Sequence, residues 1–73
     1  MVNMDSARKH HELLQLILKM GLSKSTGLRI IDEVNRFLKD RPARMAKTDE
    51  LIALLKSCET EEDVIRKLDE AGI

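Results

Sequence analysis

Residues 13–31 read Leu13-Leu14-Gln15-Leu16-Ile17-Leu18-Lys19-Met20-Gly21-Leu22-Ser23-Lys24-Ser25-Thr26-Gly27-Leu28-Arg29-Ile30-Ile31. Two apolar patterns of helical period meet at Gly21. Before it, Leu13, Leu16, Ile17 and Met20 recur at three- and four-residue spacing and form one stripe, with Leu14 and Leu18 beside it. Gly21 stands where a helix ends in the left-handed region, which glycine enters without steric cost. Leu22 can pack back on the last turn, and Ser23 offers a side-chain oxygen to cap the next helix. Beyond it, Gly27, Ile30, Ile31, Val34, Phe37 and Leu38 fall on one face, with Arg29, Asp32, Glu33, Arg36 and Lys39 mostly opposite. Asp32 and Arg36 are spaced for an i,i+4 ion pair.

Working outward, Asp5 or Ser6 is placed to cap the first helix, with Met1–Met4 frayed. Arg41-Pro42 ends the second helix, since proline disfavours the helical region for the residue before it. Residues 41–47 then read as a basic connector. Thr48 caps a third helix whose first turn carries Asp49 and Glu50 and whose buried side is Leu51, Ile52, Leu54 and Leu55. Thr60-Glu61-Glu62-Asp63 resembles a capping box for a fourth helix, buried through Val64, Ile65 and Leu68 and closed by Ala71-Gly72-Ile73. Ile73 folds back as an apolar plug. The expectation is one all-α domain over residues 1–73, a small compact four-helix bundle with helices at 5–20, 24–40, 48–58 and 61–70.

Composition narrows the chemistry. A chain of 73 residues forms a core worth roughly 3–5 kcal/mol of net stability. Phe37 is the one aromatic residue, so the core is aliphatic and base stacking on aromatic rings is nearly excluded. A single cysteine, Cys58, cannot make an internal disulfide and fits a reducing, cytoplasmic setting. No apolar run approaches the ~20 residues of a membrane span, and no apolar signal stretch opens the chain. His10-His11-Glu12 is the one local histidine cluster, and neighbours on a helix point about 100° apart, so the two rings cannot share a metal. Neither a metal, a cofactor, a catalytic residue nor a small-molecule substrate is expected.

The net charge is zero but unevenly spread. Residues 1–47 hold ten Lys/Arg against five Asp/Glu; residues 48–73 hold three against eight. This either suits an anionic partner for the first half or lets the two halves attract one another in the fold or in a self-association.

Over residues 13–31 the chain resembles the helix-turn-helix of bacterial DNA-binding regulators, in which glycine ends one helix and a Ser-rich start opens the recognition helix. The resemblance implies double-stranded DNA as partner. Ser23, Ser25 and Thr26 would touch phosphates or base edges, and Lys24 and Arg29 phosphates or guanine. Arg36, Lys39, Arg41 and Arg44 would support them on the backbone. The family usually has Ala where Ile17 stands and a branched apolar residue where Gly27 stands; Gly27 would make the space that Ile17 takes. Residues 21–27 also resemble a helix-hairpin-helix turn, with Ser23 where that motif has Gly. The alternative expectation is a helical protein–protein interaction module, an adaptor, inhibitor or antitoxin-like partner. It would dock a protein partner or form a homodimer through Leu14 and Leu18, with the acidic second half steering a basic partner.

Overall fold

The computed structural model describes the backbone of residues 4–73 and the side chains from Ala7 onward. The frayed start expected at Met1–Met4 lies almost wholly outside these residues. Four helices follow in order: α1 Met4–Met20, α2 Lys24–Asn35, α3 Arg41–Lys56 and α4 Glu61–Ala71. No strand occurs among the described residues, and the fold is the expected small all-α bundle.

Both glycine caps form as the sequence indicates. Gly21 takes φ +65°, its N–H donates to the Leu18 carbonyl at 3.0 Å, and the Leu22 N–H donates to the Ile17 carbonyl at 3.3 Å. Gly72 repeats this pattern with φ +74°, donating to Asp69, while the Ile73 N–H donates to Leu68. These paired bonds satisfy the last carbonyls of α1 and α4 and turn Leu22 and Ile73 back onto the core. Ser23 and Thr60 cap α2 and α4 by accepting from the N–H of Thr26 and of Asp63. Asp5 and Ser6 already lie inside α1, so the helix starts earlier than a cap at either would allow.

The middle of the chain departs from expectation. α2 stops at Asn35, and tight i→i+3 bonds carry the chain through 36–39, from Phe37 to Val34, Leu38 to Asn35 and Asp40 to Phe37. Asp40 is extended and caps α3 by accepting from the Ala43 N–H. Pro42 therefore stands in the first turn of α3, where its missing N–H has no helical partner to lose. Residues 41–47 are helix rather than connector. Thr48 is not a cap: it is buried inside α3, and its hydroxyl donates to the Arg44 carbonyl at 2.8 Å. The shortened α2 also leaves Leu38 exposed, while Glu33, expected on the outer side, is buried.

α3 packs on each of the other helices. Leu13 of α1, Ile30 and Val34 of α2, Leu51, Ile52 and Leu55 of α3, and Val64 and Leu68 of α4 form the core, with Cys58 at its edge. Lys9–Asp49 and Glu12–Lys56 join α1 to α3 in the same chain sense, so these two helices run parallel. α2 crosses α1 at Gly27. A β-carbon built there would lie 3.4 Å from Ile17 Cγ2, so the two residues meet at the crossing while leaving space for a methyl at position 27.

Candidate functional site

The turn at 21–23 and the first two turns of α2 face the acidic helix α4. Glu61, at the start of α4, reaches the N-terminus of α2. Its Oε2 accepts from the Ser23 hydroxyl, from the Ser23 N–H at 3.2 Å and from the Thr26 hydroxyl at 2.7 Å. Those donors, the Ser23 hydroxyl foremost, hold the Glu61 carboxyl below the usual range. Sequence reasoning placed Glu61 only in a capping box, because its partners lie 35 and 38 residues away.

The residues singled out for nucleic acid are thus dispersed by role. Ser23 and Thr26 are tied to Glu61, and Thr26 is 2% exposed. Arg29 is half-buried; it donates to Asp69 at 2.7 Å and to the main-chain oxygen of Ile73 at 2.8 Å. Arg36 pairs with Glu33 at 3.0 Å instead of the expected Asp32. Ser25 lies beside Ser23 on the surface, with the hydroxyls 3.3 Å apart. Lys24, Lys39 and Arg41 are exposed and without a side-chain partner in the described structure. Arg41 and Arg44 line an open groove of about 460 Å³ with His10, Asn35, Leu38 and Thr48, where the end of α2 and the start of α3 meet α1.

A second charge cluster lies between α2 and α3. Buried Glu33 faces both Arg36 and Lys47, and Lys47 also donates to Glu50 at 2.8 Å. The Glu50 bond, with Glu33 behind it, raises the Lys47 ammonium above the ordinary lysine range against the opposing effect of burial. The same ammonium stands 5.6 Å above the centre of the Phe37 ring, so one face of that ring is already occupied.

The apolar surface is concentrated. Among the described residues, the large hydrophobic ones left exposed are Leu14 (37%), Leu18 (72%), Leu28 (49%) and Leu38 (60%). All belong to α1, α2 and the turn after α2; α3 and α4 contribute none. Leu14 and Leu18 are one helical turn apart on α1. Leu18 and Leu28 each follow by one residue the pair, Ile17 and Gly27, that meets where α1 crosses α2.

Among the described residues no group of three or more His, Cys, Asp or Glu side chains is placed to hold a metal ion. Cys58 is buried, with its thiol directed at the Leu54 carbonyl at 3.2 Å. No described helix is long and apolar enough to cross a membrane. No protein-family model matches the chain, nor does any curated protein or solved structure.

Proposed function

We propose that this protein is a helical protein–protein interaction module that docks an amphipathic helix on the outer faces of α1 and α2. The observation that carries the reading is the segregation of its exposed leucines. Leu14, Leu18, Leu28 and Leu38 all belong to α1, α2 and the turn after α2, and burial against a partner would remove their apolar surface from water. Ser23, Thr26 and Arg29, which a DNA-reading helix would present, are engaged by Glu61 and Asp69 within the chain. The two carboxylates also place negative charge beside α2, which opposes approach of a phosphate backbone.

Selection of amphipathic helical peptides against the immobilised protein tests this reading. The expected result is a set of peptides that bind the native chain and lose at least about tenfold in affinity to Leu18→Lys, the cost of placing a charge in an apolar contact. Peptides that bind Leu14→Lys and Leu18→Lys as well as the native chain would overturn it.

A second reading, binding of double-stranded DNA, is favoured by Lys24, Lys39 and Arg41, which lack partners in the described structure. It predicts affinity for labelled duplex that falls steeply with salt and weakens in Lys24→Ala. Fluorescence anisotropy at two salt concentrations separates the readings, since the docking module gives no such binding.

A further inference from the structure

We infer that the docked helix is α2 of a second copy of this chain, crossing antiparallel at Leu28; this rests on the docking reading above and names its partner. Lys24, Leu28 and Asp32 follow one another at four-residue spacing and so lie on one exposed stripe of α2. Neither Lys24 nor Asp32 has a side-chain partner in the described structure. Arg36, the cation in reach of Asp32 along the helix, is taken by Glu33.

This pattern is self-complementary. A two-fold axis at Leu28 sets that residue against its own copy and brings Lys24 of each chain opposite Asp32 of the other, twice over. An isologous interface requires this relation, in which one patch matches itself. α1 lacks it among the described residues: the stripe of Leu14 and Leu18 is bordered by His11 and Lys19, and Glu12 is taken by Lys56. α3 and α4 present no large exposed hydrophobic residue. Leu18 follows Ile17, which meets Gly27 at the α1–α2 crossing, and at 72% exposure it is the further apolar surface that α1 offers to a partner of α2.

Sedimentation velocity on the full chain, from micromolar to millimolar concentration, is the test. The native protein is expected to form a dimer. Lys24→Asp and Asp32→Lys each bring like charges together and should weaken the dimer by roughly tenfold. An equimolar mixture of the two variants should restore it, because each then meets its opposite charge. Both sites are exposed, and circular dichroism verifies that the variants keep their helices. A native chain that stays monomeric throughout overturns the inference; if helical peptides still bind it through Leu18, the docking reading survives. A dimer that is lost in Leu18→Lys but indifferent to both charge variants overturns the crossing at Leu28.

Discussion

Glu61 gathers three donors from the start of α2, so its ionised form strengthens the contact between α2 and α4. Its folded-state pKa lies below the ordinary value, so its contribution is present above the unfolded pKa of about 4.3 and is lost as pH falls through the folded value. Glu61→Ala is therefore expected to lower the melting temperature at neutral pH and to reduce the acid-side loss of stability; thermal melts from neutral to acid pH check both. Gly27 gives a second residue-scale prediction. Gly27→Ala replaces a helix-interior glycine, and its methyl only just touches Ile17, so stability should rise by about 0.5–1 kcal/mol in denaturant titration. Gly27→Val overfills the crossing and should cost about 1–3 kcal/mol. That Ile17 and Gly27 meet was legible in the sequence, because they hold the crossing positions of one short motif; the compensation expected between them was not, since a methyl fits beside Ile17. The Glu61 contact was not, because nothing in local spacing pairs residues 35 or more positions apart.

The helices whose ends are set by glycine were readable to within a residue, since Gly21 and Gly72 each admit a backbone that other residues resist. The boundary between α2 and α3 was misread because proline ends one helix and begins another with equal ease. Asp40-Arg41-Pro42 held the signal: an acidic cap followed by proline in the first turn is a helix start. Asp40→Ala should accordingly destabilise the protein by about 1 kcal/mol, seen as a lower denaturant midpoint with an unchanged slope. Misplacing that start also hid the groove beside Arg41 and Arg44, because residues read as a loop could not be assigned a wall. The apolar surplus of α1 was visible beforehand, but Leu28 and Leu38 were not read as its companions, since a regular pattern through residue 40 would have buried Leu38.

At the scale of the molecule, the charge imbalance between the halves is partly consumed inside the fold. Lys9–Asp49, Arg29–Asp69 and Lys47–Glu50 each join a basic residue of the first half to an acid of the second. Pairs with at least one solvent-exposed partner add little individually, so the stability rests on the aliphatic core. Leu51 is fully buried there, and Leu51→Ala should cost about 2–5 kcal/mol, comparable with the whole net stability of so small a domain. Loss of most helical signal at room temperature would show it. The parallel seating of α1 on α3 also bears on how the chain acquires this shape. Its ion pair from Lys9 to Asp49 spans 40 residues, so bringing the two helices together closes a loop that contains α2 and both turns. Closing so long a loop comes before any reward from packing. The search for the native arrangement is therefore a non-local one, slower than in a bundle of the same size whose neighbours in space are neighbours along the chain.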